Sequence, residues 1–151
     1  MTIENSGPAG FFGDEKPPSV VYVVNRLLWA QLRDFFDEDG RAIPEARDDF
    51  VLGYLVRMTA LVLEQRVRGG YALGRGQSLD SVAMLVIEDL YAEIERPVVL
   101  SKWEGLSLEP SAQSFAGDRC AKRDFDRIAL DEVPGGLQSR IYRVLIEGRT
   151  C

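Results

Sequence analysis

The chain has 151 residues, 46% of them hydrophobic and 28% charged, which is typical of a globular protein with room for one domain. It contains no histidine, which excludes Ser-His-Asp and Cys-His triads and histidine-ligated zinc or iron. Eighteen basic and twenty-four acidic residues give a net charge of −6, so nucleic acid and anionic membranes are disfavoured as general partners.

The N-terminal region divides into an arm and a first helix. Glycine and proline recur through residues 1–18, which predicts a flexible arm followed by a single globular domain over residues 19–151. Ser19 is placed to cap a helix over about 19–38 that ends at Gly40. Trp29 is expected to lie in the core beside a stripe of apolar residues at helical spacing: Val20, Val24, Leu27, Leu28, Leu32, Phe35 and Phe36.

Two further helices complete a predicted three-helix core. Pro44 suits the first position of a helix over 44–68, which ends before Gly69 and whose apolar middle makes it the expected centre of the fold. Ser78 is placed to cap a helix over 78–95, and Pro97 is expected to stop it. The buried face of this third helix is predicted to comprise Val82, Ala83, Val86, Leu90 and Ile94.

The C-terminal region over residues 97–151 has mixed character. Val98 to Leu100 are predicted as a short strand, and residues 104–118 as a loop rich in glycine, serine and proline. A turn at Pro134 to Gly136 separates two segments of residues 127–147 that fit a β-hairpin by β-branching, although the second also fits a helix by its apolar spacing. The expected fold class is mainly α, a three-helix core with a short C-terminal β-hairpin or an additional helix, with α+β left open.

Acidic residues concentrate in two segments, and these are the candidate partner-binding segments. The first lies at the predicted C-terminal end of the first helix, where the helix dipole disfavours negative charge. A basic partner would relieve that cost, as would a nearby arginine such as Arg41 or Arg47. The candidate set comprises seven acidic residues and one tryptophan from a loop-like region: Asp34, Asp37, Glu38, Asp39, Glu88, Asp89, Glu93 and Trp103.

Neither acidic segment predicts a metal site. Placing Gly40 at the sixth position of a calcium-binding loop puts Phe35 first and Ala46 twelfth, where carboxylates are needed. The two cysteines, Cys120 and Cys151, form no zinc-ligand pattern in a chain without histidine. We therefore expect no metal and no other cofactor.

An arginine- and glycine-rich loop over residues 66–77 is an alternative site. Arg66, Arg68 and Arg75 could hold a phosphate or another anion near the start of the third helix. The loop has no lysine for a Walker A motif and follows a helix rather than a strand, so neither common nucleotide-binding pattern is present. Its main expected role is to connect two helices.

The chain shows no pattern typical of a targeting or membrane-spanning segment. No apolar run approaches the roughly twenty residues of a spanning helix, and the first residues carry neither a basic nor an apolar leader. Because two cysteines do not build a disulfide framework, we expect a reduced, cytoplasmic protein.

These observations favour a non-catalytic interaction protein. The leading hypothesis is an acidic inhibitor or adaptor that binds a basic protein partner, as an immunity-type or phage-encoded blocking protein would. The alternatives are a structural or assembly subunit that forms homo-oligomers, or a small anion-binding module that uses the loop 66–77. The broad apolar surfaces of the first two helices predict a homodimer.

Overall fold

Six α-helices make up most of the computed structural model, which describes residues 19–70, 78–129 and 134–150. The predicted arm over residues 1–18 therefore lies outside the described residues. The helices are α1 Val20–Leu32, α2 Asp49–Arg68, α3 Leu79–Leu90, α4 Arg96–Leu108, α5 Ala112–Ala129 and α6 Gly136–Thr150. The mainly α fold class is confirmed. Of the two alternatives for the C-terminal region, the structure has the additional helix, α6.

Two helix starts lie where local capping chemistry predicts them. The hydroxyl of Ser19 accepts a hydrogen bond from the backbone N–H of Tyr22 and caps α1. Ser78 caps α3 in the same way, and it forms a reciprocal capping box with Ser81. These caps depend only on residues three apart in the chain, so the sequence predicts them well.

The first helix ends earlier than expected. After Leu32 the chain makes a 3-10 turn over Arg33–Phe35 and then a tight loop, whose ends pair as an isolated β-bridge between Phe36 and Ala42. Gly40 takes a φ of +81° in this loop, a conformation that glycine adopts without strain. The apolar pattern continues through Phe35 and Phe36 because both rings remain packed on the core, not because the helix continues.

Pro44 and Pro97 each lie at the start of a helical element. Pro44 begins a 3-10 turn over Pro44–Ala46, so the predicted start of the second helix at residue 44 is wrong. Helix α2 begins at Asp49, and Asp48 caps it by accepting from the N–H of Val51. Helix α3 ends at Leu90, before Pro97, which occupies the first turn of α4, where its missing N–H has no cost. The predicted strand over 98–100 and most of the loop over 104–118 are therefore wrong, since these residues belong to α4 and α5.

Helix α2 lies at the centre of the fold and contacts α1, α3, α4 and α5, as its apolar sequence predicts. The other helices direct smaller apolar faces onto it. Trp29 and Ile94 were expected in the core, and this is wrong: their side chains are 45% and 63% exposed. The fully buried side chains include Val24, Leu28, Tyr54, Leu55, Met58, Val86, Ile87, Leu137 and Ile141.

Two glycines allow α2 and α5 to cross at backbone contact. A Cβ atom added at Gly117 would lie 2.0 Å from the carbonyl oxygen of Phe50 on α2. A Cβ atom added at Gly53 would lie 2.1 Å from the carbonyl oxygen of Ser114 on α5. No larger residue fits at either position without moving a helix, so the pair sets the position of α5 on the core.

A buried polar network fixes the start of α6. The Gln31 side chain accepts from the N–H of Leu137 at 2.9 Å and donates to the hydroxyl of Tyr54 at 3.0 Å. Tyr54 in turn donates to Asp124, and the same carboxylate oxygen accepts from the N–H of Gly136 at 3.0 Å. The first two amides of α6 are therefore satisfied by side chains from α1 and α5, which orients α6 along α5.

Candidate functional site

The fold brings the two acidic segments predicted from the sequence next to each other. A Cβ atom added at Gly40 would lie 3.7 Å from that of Ala92, and the rings of Phe36 and Tyr91 lie 5.9 Å apart. The loop after α1 therefore packs against the segment that joins α3 to α4. Four exposed carboxylates lie along these two segments and are called here the acidic edge: Asp37, Glu38, Asp39 and Glu93.

Asp37 has a structural role in addition to its charge. One of its carboxylate oxygens accepts hydrogen bonds of 2.9 Å from the backbone N–H groups of both Asp39 and Arg41. This arrangement holds the loop in its turn. Glu38, Asp39 and Glu93 are exposed, and their carboxylates accept no such bond from the backbone of the described residues.

Glu95 attaches the acidic edge to the core. It is 9% exposed, accepts from the N–H of Ala42 at 2.8 Å, and pairs with Arg47 at 3.3 Å. Arg47, one of the two arginines expected to relieve the first acidic segment, is thus paired with this buried carboxylate. Arg47 therefore does not neutralise the acidic edge, whereas Arg41, the other expected arginine, is exposed and lines the same concavity as Asp37.

Exposed apolar side chains adjoin the acidic edge. Ile94 and Val98 are 63% and 55% exposed. Together with Asp37, Arg41 and Glu95 they line a shallow concavity of about 350 Å³. An apolar centre beside charged groups is the usual composition of a protein-binding surface.

The remaining acidic candidates lie close to this edge without joining it. Asp34 is exposed in the 3-10 turn that follows α1, and Glu88 is half-buried near the end of α3. Asp89 is also on α3, and it accepts from the side-chain amide of Asn25 at 2.6 Å. Glu93 lies beyond the end of α3, so it does not form the helical i, i+4 pair with Asp89 that the predicted helix implied.

Helix α1 presents an aromatic face to solvent. Tyr22 is 51% exposed and Trp29 45% exposed, and Asn25 lies between them on the same helix. Asn25 is itself buried, and its side-chain oxygen has no hydrogen-bond partner among the described residues. Asn25, Trp29, Asp89 and Leu90 line a concavity of about 250 Å³. The face therefore presents exposed aromatic area beside a shallow concavity.

The sequence predicts Trp103 on a contact surface, but the structure buries its side chain. Its side chain is 7% exposed because α4 turns it inward toward α2 and α5. It forms part of the wall of a mainly apolar cavity of about 190 Å³, with Leu52, Val56, Leu106 and Phe115. A flat contact surface centred on Trp103 is therefore excluded in this conformation.

The arginines of the loop 66–77 do not form a cluster in the described part of the chain. Arg66 and Arg68 lie in the last turn of α2, and Arg68 pairs with Glu64 at 3.1 Å on the same helix. Arg75 lies outside the described residues. The proposed anion site at this loop gains no support from the positions of Arg66 and Arg68.

A different group of arginines lines the groove between α5 and α6. The groove has a volume of about 520 Å³ and is predominantly polar. We call this concavity the arginine groove, after the five arginines that line it: Arg119, Arg123, Arg127, Arg140 and Arg143. Three of them recur every fourth residue on α5, a spacing that places them on one face only if residues 112–129 are helical. Sequence reasoning assigned residues 104–118 to a loop and residues 127–147 to a hairpin or a helix, so it did not place the three arginines on one helix and missed the site.

The floor of the arginine groove holds two buried groups. Asp124 is 3% exposed and takes part in the network with Tyr54 and Gly136. Cys120 is also 3% exposed, and burial, with the nearby negative charge of Asp124, raises the pKa of its thiol. A thiol held in its neutral form is a poor nucleophile, so this cysteine does not suit covalent catalysis.

Within the described residues, no three cysteine, aspartate or glutamate side chains are grouped closely enough to hold a metal ion. In the same part of the chain, no helix combines the length and apolar character needed to cross a bilayer. Comparison of the chain with family models, with curated proteins and with solved structures gives no significant match.

Proposed function

We propose that this protein acts without catalysis, as an acidic inhibitor or adaptor that binds a basic protein partner through the acidic edge. One observation carries the proposal. Two acidic segments that are far apart in the sequence pack together and flank the exposed side chains of Ile94 and Val98. Apolar residues beside a charged rim supply both the contact area and the orientation that a specific protein complex requires.

The chemistry of the edge defines the partner. Carboxylates at Glu38, Asp39 and Glu93 favour lysine or arginine side chains on the opposing surface. Ile94 and Val98 favour an apolar contact in the middle of that basic surface. Exposed charges steer the encounter, so association with such a partner should slow as salt is added.

A charge-reversal experiment tests the proposal. The partner is first isolated by crosslinking and pull-down from the source cell, and its binding kinetics are then measured as a function of salt. The edge variant carries Glu38→Lys, Asp39→Lys and Glu93→Lys, and it leaves Asp37 in place because Asp37 holds the loop. The matched control carries Glu104→Lys, Glu109→Lys and Asp126→Lys, three exposed carboxylates away from the edge.

The two variants change the net charge equally, so only the position of the charges differs. The edge variant should lower the association rate at low salt by about tenfold or more and flatten its salt dependence. The control should stay within about twofold of the natural chain. Equal effects of the two variants, or unchanged binding by the edge variant, would contradict the proposal.

We also propose that the protein works in a reducing, cytoplasmic compartment. The support is that the chain has two cysteines, too few for a disulfide framework, and that the thiol of Cys120 is buried. An immunity-type or phage-encoded blocking protein would act in this compartment. Fractionation of the source cell tests the location, and recovery outside the cytoplasm would contradict it.

Self-association is a second candidate, and the aromatic face of α1 favours it. A second copy covering Tyr22 and Trp29 would bury exposed aromatic area. Light scattering should then give a mass near twice the 16.9 kDa of one chain, and Trp29→Ser should shift it toward the monomer. A monomer mass at micromolar concentration would exclude the homodimer.

A further inference from the structure

We propose that the arginine groove binds a small ligand bearing more than one phosphoryl group. This site is separate from the acidic edge, and the inference does not depend on the proposed protein partner. Its basis is the juxtaposition of Arg119, Arg123 and Arg127 on α5 with Arg140 and Arg143 on α6 around a single polar concavity.

Among the described residues, the lining of the groove carries more positive than negative charge. It comprises five guanidinium groups and one carboxylate, that of Asp124 at the floor. Arg140 is paired with Asp48 at 2.6 Å, and its guanidinium lies 4.4 Å from the ring centroid of Phe50. The other four arginines form no ion pair with a described carboxylate, which favours an anionic ligand.

The shape of the arginine groove favours a compact ligand with charges in a row. The three arginines of α5 are spaced by one helical turn each and span about 12 Å along the helix. A guanidinium offers a planar pair of donors that matches two phosphate oxygens, so a row of them fits successive phosphoryl groups. A volume of about 520 Å³ lies in the range of small-molecule sites.

The walls add further contacts of suitable chemistry. The exposed hydroxyl of Ser139 on α6 lines the groove and can donate to a phosphate oxygen. Arg140 is held in place by Asp48 and by the ring of Phe50, so less conformational entropy is lost when a ligand binds to it. The Tyr54–Asp124–Gly136 network fixes α6 against α5, so the two sides of the arginine groove keep their separation.

Nucleic acid fits these observations less well. The chain has a net charge of −6, and the arginines surround one concavity rather than form an extended basic stripe. A small phosphorylated ligand needs only the local charge of the concavity. Binding of nucleic acid is therefore treated as an outcome of the test.

Isothermal titration calorimetry with the full chain tests the inference. The probes are tripolyphosphate, ATP, inorganic phosphate, sulfate and a duplex DNA oligonucleotide, all at a constant ionic strength of about 0.15 M. The groove variant carries Arg119→Gln, Arg123→Gln and Arg127→Gln. The matched control carries Arg26→Gln, Arg33→Gln and Arg41→Gln, three exposed arginines outside the arginine groove. Circular dichroism verifies that both variants are folded.

Tripolyphosphate or ATP should bind the natural chain about tenfold or more tightly than inorganic phosphate and sulfate. The groove variant should lose about tenfold or more of that affinity, and the control less than about twofold. If ATP binds more tightly than tripolyphosphate, the ligand is a nucleotide. If the two bind equally, the ligand is a polyphosphate.

Three results would overturn the inference. The first is no binding of tripolyphosphate or ATP to the natural chain, and the second is equal loss in both variants. The third is groove-dependent binding of DNA that exceeds the binding of either phosphate probe.

Discussion

The hydroxyl of Tyr54 on α2 donates a hydrogen bond of 2.6 Å to the carboxylate of Asp124 on α5, and both side chains are buried. The bond joins the central helix to the helix that carries the arginine groove. Through the same carboxylate, Tyr54 also influences the start of α6, because Asp124 accepts from the N–H of Gly136. A single phenol therefore links the core to both sides of the groove.

Replacing Tyr54 by phenylalanine should destabilise the protein. The ring would stay packed, but Asp124 and Gln31 would each lose a buried hydrogen-bond partner, which costs about 1–3 kcal/mol. Urea denaturation measures the change in the free energy of unfolding. Tyr22→Phe, at an exposed tyrosine, is the control and should stay within about 0.5 kcal/mol. Equal stability of the two variants would show that the network contributes little.

Alkaline pH should destabilise the fold through its buried tyrosines. Burial, with the neighbouring Asp124, raises the pKa of Tyr54, and burial, with Asp48, raises the pKa of Tyr91. The folded chain therefore keeps these phenols neutral after the unfolded chain has begun to release their protons near pH 10. The stabilising contribution is complete below pH 10 and is lost as pH rises above it.

The slope of this loss is measurable. Each tyrosine should lower the free energy of unfolding by up to about 1.4 kcal/mol per pH unit above pH 10. Denaturation at a series of pH values gives the slope of the free energy of unfolding against pH. In the Tyr54→Phe variant this slope should be smaller by about the contribution of one tyrosine. Ultraviolet titration of the folded protein should show the phenols of Tyr54 and Tyr91 ionising only as the chain unfolds. Ordinary titration of all tyrosines near pH 10 in the folded state would refute the prediction.

Gly117→Ala should lower the stability of the fold far more than a glycine-to-alanine substitution at an open helical position. Its Cβ would meet the backbone of Phe50, so α5 would have to move away from α2, which we expect to cost about 1–3 kcal/mol or more. Gly105→Ala in α4 is the matched control, because no atom lies within 4 Å of the added Cβ. It should stabilise the protein by about 0.5–1 kcal/mol. Thermal unfolding of both variants tests the contrast, and similar melting temperatures would contradict it.

Cys120 should resist thiol reagents in the folded state. It is 3% exposed and its thiol pKa is raised, so both access and the thiolate fraction are low at neutral pH. In a Cys151→Ser background, labelling with Ellman's reagent should be slow under native conditions and complete after denaturation. Rapid native labelling would show that the floor of the arginine groove opens readily.

Short-range chemistry made several elements predictable from the sequence. Ser19 and Ser78 cap α1 and α3 through hydrogen bonds to residues three positions ahead, so the residues themselves contain the signal. The apolar middle of α2, Phe50 to Leu63, likewise identifies it as the central helix, because a helical segment whose polar side chains are few must be covered by others. The two acidic segments were recognisable as charge clusters, but their proximity was not.

The wrong predictions share one cause: the spacing of apolar residues does not show which other residues each side chain will contact. Pro97 can end one helix or begin the next; here α3 has already ended at Leu90, Tyr91 is extended and packs on the core, and Pro97 lies in the first turn of α4. For the same reason Trp29, which was expected in the core, is exposed, and Trp103, which was expected on a surface, is buried. The face that each helix turns inward is selected by its neighbours, which the local pattern does not describe.

Composition and contacts within a few residues are enough to specify a mainly helical chain without histidine chemistry, two helix caps and the negative charge of the loop after α1. Tertiary structure alone decided that Gly40 meets Ala92 and so builds the acidic edge, and that Gly53 and Gly117 let α5 lie on α2. It also decided that five arginines from two helices share one groove. These outcomes depend on close packing between residues distant in the chain, where the volume and shape of the partner, rather than local preference, determine the position of each side chain.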